Sequence, residues 1–157
     1  MKILIMGLPN SGKTWLANRL GKELSVPTWD ADVVRKIYND WDFSIQGRAV
    51  QADRMRTLAE LDPVSISAFI CPLPALRNNF RPDILIWMDT VQASPYKDTD
   101  ALFKPPIKIA DIRITKWIAE NQLYKCLEGF SLGTMDTQSY SNVRLLKLDK
   151  CVLWFVT

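Results

Sequence analysis

Residues 2–14, KILIMGLPNSGKT, decide the fold of this chain. The run KILIM at 2–6 is short, apolar and rich in isoleucine, which is typical of a strand buried on both faces of a sheet. Gly7 and Gly12 bracket the loop that follows, and apolar residues then recur at helical spacing in KTWLANRLGKEL, residues 13–24. The sequence therefore predicts a strand, a loop with two glycines and a helix in direct succession.

The loop has the spacing of a phosphate-binding loop: glycine, four residues, glycine, lysine and threonine. The glycines allow the backbone to fold tightly, so that its N–H groups point at phosphate oxygens, and the helix start adds its partial positive charge. We expect Lys13 to span the β- and γ-phosphates and the Thr14 hydroxyl to bind Mg²⁺. The predicted ligands are ATP and Mg²⁺, and the predicted nucleotide-binding residues are Gly7, Pro9, Asn10, Ser11, Gly12, Lys13 and Thr14.

Strand and helix patterns alternate along the rest of the chain. Further strands are predicted within 26–32, 64–70, 83–89 and 107–117, and helices within 32–41, 44–62, 73–80 and 118–130. This alternation predicts an α/β domain of the P-loop nucleoside-triphosphate hydrolase fold, with a mostly parallel five-stranded sheet flanked by helices. We expect one domain over residues 1–133. Residues 134–157 fit the pattern poorly and are predicted to be an atypical C-terminal extension, not a separate domain.

The composition excludes several classes of chemistry. The 157 residues include no histidine, so triads and dyads that use histidine are excluded. The three cysteines, Cys71, Cys126 and Cys151, have no metal-ligand spacing. With a net charge of +3, no basic block and no long apolar run, we expect a cytoplasmic protein that acts on a small molecule, without nucleic-acid or membrane partners. The sequence leaves open whether the protein forms a homodimer.

The stretch WDADVVR places Asp30, Asp32 and Arg35 at the end of the second predicted strand. Ligands of parallel α/β sheets collect at the carboxyl ends of the strands, so these side chains should face the same crevice as the phosphate loop. A carboxylate there can orient Mg²⁺ or accept the proton of an attacking hydroxyl, and Arg35 can clamp an anionic acceptor. The same pattern is also typical of a simple helix cap with solvated charges.

An ordered series of motifs resembles the adenylylsulfate kinase family. In the first part of the series, DADVVR at 30–35 matches the family's Asp-Gly-Asp-x-x-Arg, DFS at 42–44 matches Gly-Phe-Ser, and GR at 47–48 matches Asp-Arg. In the later part, FICP at 69–72 matches Phe-Ile-Ser-Pro, MDT at 88–90 matches Val-Asp-Thr, and ALFK at 101–104 matches Gly-Leu-Tyr-Lys. The likeness runs from Lys2 to about Lys104, roughly two thirds of the chain.

The resemblance implies a kinase that transfers the ATP γ-phosphate to the 3′-hydroxyl of adenylylsulfate, giving 3′-phosphoadenylylsulfate and ADP in sulfate activation. Phe43 would stack on the adenine of the acceptor, and Arg35 and Arg48 would hold its phosphosulfate. The acceptor-binding residues that the resemblance implies are Asp32, Arg35, Phe43, Arg48, Gln51, Ile70, Cys71 and Lys104. Because Asp32 fills the family's second acidic place and is nearer Arg35, we predict that Asp32 and Lys13 are catalytic and that Asp30 joins Thr14 at the metal.

The chain also departs from the family pattern. Ala31 replaces a glycine, Gln51 replaces an acceptor-binding asparagine and Cys71 replaces a serine. The arginine-rich lid is reduced to VQASPYKDTD at 91–100, and the family's later Phe-Thr-Gly segment is not found. Two alternatives therefore stay open: a related P-loop kinase that phosphorylates another small hydroxyl compound or a nucleoside, and a nucleotide-binding module without turnover.

Overall fold

The computed structural model describes residues 1–117. Within them the chain forms β1 (Lys2–Gly7), α1 (Lys13–Leu24), β2 (Thr28–Asp30), α2 (Ala31–Tyr38), α3 (Ile45–Ala59), β3 (Ser65–Ala68), α4 (Pro74–Phe80), β4 (Ile84–Met88), α5 (Lys97–Leu102) and β5 (Ile112–Ile114). The predicted helix at 118–130 and the predicted extension at 134–157 lie outside the described residues, as do Cys126 and Cys151.

The five strands form one sheet in the order β2-β3-β1-β4-β5, and every neighbouring pair is parallel. The predicted five-stranded parallel sheet is therefore confirmed. β1 lies at its centre, so the loop that follows β1 opens at the middle of the edge formed by the strand ends. This edge is where a doubly covered parallel sheet binds its ligands.

Alternate residues of β1 point into two apolar layers, as strand geometry requires. Ile3 and Ile5 pack with Leu16 and Leu20 of α1, whereas Leu4 and Met6 belong to the opposite layer. That second layer includes Val34 of α2, Met55 of α3 and Phe80 of α4. Helices on both faces thus explain why β1 is apolar at successive positions instead of alternating with polar residues.

The short helix α5 was not predicted. It lies at the end of the stretch 91–100, which sequence analysis treated only as a shortened lid. Hydrogen bonds hold its start: the Asp100 carboxylate accepts from the Ser94 backbone N–H at 2.8 Å and from the Ser94 hydroxyl at 2.7 Å. Thr99 is buried against the domain. The stretch is therefore stabilised by hydrogen bonds between its own residues, and the buried Thr99 attaches it to the rest of the domain.

Among residues 1–117, no helix has the length and apolar content needed to cross a membrane.

Candidate active site

The phosphate loop depends on backbone conformations that favour glycine. Gly7, Asn10 and Gly12 have positive φ angles of 152°, 64° and 94°. A Cβ atom on Gly7 would lie 2.4 Å from the Met88 carbonyl oxygen, and one on Gly12 would lie 2.6 Å from a ring carbon of Trp117. Gly7 is therefore required by the available space as well as by the backbone conformation, whereas Gly12 is required by its conformation, because the exposed Trp117 ring could move aside.

The phosphate loop is fixed by a hydrogen bond within itself and by another from the residue that follows β4. Ser11 is fully buried, and its backbone N–H donates to the Leu8 carbonyl at 3.2 Å. The Thr90 hydroxyl, just beyond β4, donates to the Ser11 carbonyl at 2.7 Å. Thr90 belongs to the MDT motif at 88–90, but the motif predicted no role for it. Its position shows that it supports the phosphate loop.

Lys13 folds back over the loop. Its ammonium group donates to the Leu8 carbonyl at 2.7 Å. Burial lowers the pKa of Lys13 to about 8, against the opposing influence of Asp32 and Asp30. A lysine in this state gains a counter-charge when an anion binds, because a phosphate would offset the desolvation that lowers its pKa.

The two predicted metal ligands are in direct contact. The Thr14 hydroxyl donates to Asp30 Oδ2 at 2.5 Å. The other oxygen of Asp30 caps α2 by accepting from the backbone N–H groups of Asp32 at 2.8 Å and Val33 at 3.4 Å. A hydroxyl beside a carboxylate is an oxygen pair that fits Mg²⁺. Residues 1–117 contain no cluster of three or more acidic, cysteine or histidine ligands.

Asp32 lies in the first turn of α2, beside Asp30. Burial raises the pKa of Asp32, and the negative charge of Asp30 raises it further, while Lys13 and Arg35 act in the opposite direction. A raised pKa makes a carboxylate a stronger proton acceptor. The direction of this shift favours a proton-accepting role, and that role stays a prediction.

Two buried arginines lie close to the ring of Phe43. The guanidinium carbon lies 4.5 Å from the ring centroid for Arg35 and 5.7 Å for Arg48. Arg35 Nη1 also donates to the carbonyls of Asp40 at 3.0 Å and Asp42 at 2.9 Å, and Arg48 Nε donates to the Phe43 carbonyl at 2.8 Å. These hydrogen bonds fix the loop between α2 and α3, and they also fix the positions of the two arginines at the site.

Most of the predicted site residues line a single cavity of about 780 Å³. They are Pro9, Asn10, Gly12, Lys13, Thr14, Asp30, Asp32, Arg35, Phe43, Arg48, Gln51, Ile70 and Cys71. Gly7 and Ser11 are buried behind this surface. Lys104 is exposed and is not among the lining residues; its backbone N–H donates to the Pro72 carbonyl at 2.9 Å. Lys104 thus contacts the cavity wall at Pro72 through its backbone and does not itself line the cavity.

Gln51 and Cys71 contribute different groups to the wall. Gln51 Nε2 donates to the Ala31 carbonyl at 3.1 Å, while its Oε1 atom is buried without a hydrogen-bond partner in the described part of the chain. Cys71 has a φ of 45°, and its carbonyl accepts from Arg77 Nη1 at 3.0 Å. Burial raises the pKa of the Cys71 thiol, which disfavours the reactive thiolate form.

Several lining residues were missed by sequence analysis. They are mainly aromatic or belong to α5: Trp15, Trp41, Tyr96, Asp98, Thr99 and Trp117. Trp15 directly follows the phosphate loop, which was a signal that the sequence offered. The α5 residues gave no such signal, because only the folded chain brings them beside α3.

Comparison with known proteins supports the fold. No protein-family model matches the sequence, and no curated protein sequence matches it. Among solved structures, the APS kinase of Mycobacterium tuberculosis in complex with AMPPNP and APS is similar at 21% identity and a TM-score of 0.64, over 81% of this chain and 95% of that one. The shikimate kinase of Aquifex aeolicus is similar at 19% identity and a TM-score of 0.62, over 85% and 99%.

A gluconokinase from Sinorhizobium meliloti is also similar, at 11% identity and a TM-score of 0.60, over 75% of this chain and 83% of that one. The described chain thus has the fold of the P-loop kinases, and the predicted likeness to adenylylsulfate kinases is confirmed at the level of structure. At these identities the likeness defines the fold and leaves the acceptor to be argued from the site.

The state of Lys13 predicts how nucleotide binding depends on pH. With a pKa of about 8 in the free protein and a higher pKa beside phosphates, Lys13 must take up a proton when Mg-ATP binds at higher pH. The Mg-ATP affinity should therefore fall by up to about tenfold per pH unit above about pH 8. Calorimetric titrations at several pH values measure this, and Lys13→Met should bind weakly without that pH dependence. A wild-type affinity that stays constant up to about pH 10 would contradict the assignment.

Proposed function

We propose that this protein transfers the γ-phosphate of ATP to the 3′-hydroxyl of adenylylsulfate, giving 3′-phosphoadenylylsulfate and ADP. One observation carries the proposal: a phosphate loop and a carboxylate of raised pKa share a cavity with two buried arginines that lie close to a partly exposed aromatic ring. This combination offers separate places for a triphosphate and for an anionic, aromatic acceptor.

The donor half of the cavity consists of the phosphate loop and the start of α1. Its backbone N–H groups and Lys13 would bind the phosphates of ATP, as the loop geometry and the burial of Lys13 favour. Thr14 and Asp30 would hold Mg²⁺, in keeping with their mutual contact at 2.5 Å. The ion, when bound, neutralises charge on the phosphates.

The acceptor half lies between α2 and α3. Phe43 is 44% exposed, so the part of its ring that Arg35 does not cover can take an adenine, while Arg35 and Arg48 supply positive charge next to the ring. The Oε1 atom of Gln51, buried without a partner in residues 1–117, can accept a hydrogen bond from an amino or hydroxyl group of the acceptor. The three groups would thus bind an aromatic base, an anionic group and a hydrogen-bond donor. A nucleotide has all three.

The charges of Lys13 and of Arg35 both act on Asp32, and we assign the proton transfer to this carboxylate. It would accept the proton of the 3′-hydroxyl as the new O3′–P bond forms and the bond from the γ-phosphorus to the β–γ bridging oxygen breaks, leaving ADP. Phosphoryl transfer passes through a loose transition state, so positioning and charge compensation carry most of the catalysis. Lys13 would offset the charge that develops on the transferring group.

A kinase acting on another small hydroxyl compound is the second candidate. The TM-scores for the shikimate kinase and the gluconokinase, 0.62 and 0.60, are nearly equal to the 0.64 for the APS kinase. A coupled assay for ADP separates the candidates: Mg-ATP is supplied with adenylylsulfate, shikimate, gluconate or a nucleoside. ADP formation that requires adenylylsulfate supports the proposal, and turnover of a different hydroxyl compound alone would replace it.

Asp32→Asn tests the proposed proton acceptor. The substitution keeps the size of the side chain and removes the charge, so Mg-ATP binding should stay near the wild-type value while kcat falls about 10²-fold or more. Asp62→Asn, in the turn after α3 and outside the cavity lining, makes the same charge change and should leave kcat unaltered. A kcat within a few-fold of wild type in Asp32→Asn would remove this residue from the chemistry.

Arg48→Ala tests the acceptor half. Losing a buried, hydrogen-bonded charge costs about 2–5 kcal/mol, so KM for adenylylsulfate should rise by about thirty-fold or more, with little change in KM for ATP. Arg56→Ala on the same helix is the matched control, because Arg56 pairs with Asp53 at 2.8 Å and does not line the cavity. Equal increases in both KM values would point to a general disturbance of the fold instead.

A further inference from the structure

The charge of Arg48 already has a partner at the cavity wall. Asp98, in the first turn of α5, places its Oδ2 atom 3.6 Å from Arg48 Nη2. The Nη2 group donates its hydrogen bond elsewhere, to the Thr99 hydroxyl at 2.8 Å. Asp98 therefore balances the charge of Arg48 without a hydrogen bond from it. The two side chains differ in exposure, 69% for Asp98 and 5% for Arg48.

The start of α5 is fixed by a different acid, Asp100, and does not depend on Asp98. The Asp100 carboxylate accepts two hydrogen bonds from Ser94, which fix the start of the helix. Within residues 1–117, the Asp98 carboxylate is described with an ion pair to Arg48 and with no hydrogen bond. Of the two acids, Asp98 is therefore the one directed at the acceptor half of the cavity.

We propose that Asp98 is a specificity-determining residue that acts as an internal counter-ion of Arg48 and selects acceptors by their charge. The inference rests on the proposed function, because it takes Arg48 to be an acceptor-binding residue. A small anion that depends on Arg48 alone meets the opposing charge of Asp98. An acceptor that also has a ring for Phe43 and a donor for Gln51 has further contacts that offset this repulsion.

The expected size of the effect follows from the exposure of Asp98. Ion pairs with a solvated partner change equilibrium constants by only about two- to five-fold, and salt screens them. Asp98 should therefore adjust the acceptor preference moderately. Its removal should not abolish binding or folding.

Asp98→Asn provides the test. Binding is measured by tryptophan fluorescence with the phosphate loop filled by Mg²⁺ and the non-hydrolysable analogue AMPPNP, since Trp41 lines the cavity. Three probes are compared: inorganic sulfate, adenylylsulfate and uncharged adenosine. We expect both anions to bind about two- to five-fold more tightly than in wild type, adenosine to be unchanged, and the gain to shrink as sodium chloride is added.

Asp62→Asn serves as the control of equal charge change, and it should tighten neither anion. Weaker binding of adenylylsulfate to Asp98→Asn would overturn the inference, because Asp98 would then accept a hydrogen bond from the acceptor. An equal gain in anion affinity in Asp98→Asn and Asp62→Asn would also overturn the inference, because the net charge of the protein alone would then explain the gain. Asp98→Ser removes the charge through a different side chain and must reproduce the result.

Turnover separates this inference from the proposed function. If wild-type protein does not phosphorylate adenylylsulfate but Asp98→Asn binds sulfate more tightly, the proposed acceptor is wrong and the counter-ion stands. If adenylylsulfate is phosphorylated and Asp98→Asn leaves both anion affinities unchanged, the counter-ion is wrong and the proposed function stands.

Discussion

The site depends on the close approach of Gly7 to β4. The carbonyl of Met88 leaves no room for a Cβ atom at this position, and the Thr90 hydroxyl holds the Ser11 carbonyl from the same side. The loop therefore turns where two adjacent parallel strands end, and α1 starts immediately after it. Lys13 owes its buried position to this turn.

The charged groups of the cavity form two sets that are held by different means. On the side proposed for the donor, Asp30 connects Thr14 to the start of α2, so the carboxylate that caps the helix also contacts the phosphate loop. On the side proposed for the acceptor, Arg35 and Arg48 are held by backbone carbonyls of the loop before α3. Burial and repulsion from Asp30 raise the pKa of Asp32, which stands where the sets meet.

Sequence patterns predicted the fold well because its strands are short apolar runs and its phosphate loop has fixed spacing. They missed α5, whose residues KDTDAL have no apolar periodicity and whose start depends on contacts with Ser94. Motif matching selected Lys104, yet only its backbone makes a described contact, with Pro72, and its side chain is exposed. Asp98 could not be found from spacing, since 50 positions separate it from Arg48 and the tertiary fold brings them together. The roles of the site residues stay predictions.

The anchoring of Arg35 and Arg48 has a consequence for the thermodynamics of binding. Long side chains normally lose conformational entropy when a ligand immobilises them, which weakens association. Here the carbonyls of Asp40, Asp42 and Phe43 restrict both arginines before any ligand arrives. Most of that ordering takes place when the domain folds, so the half of the cavity proposed for the acceptor is preorganised. The affinity of this half for its ligand is thereby tied to the integrity of the loop between α2 and α3.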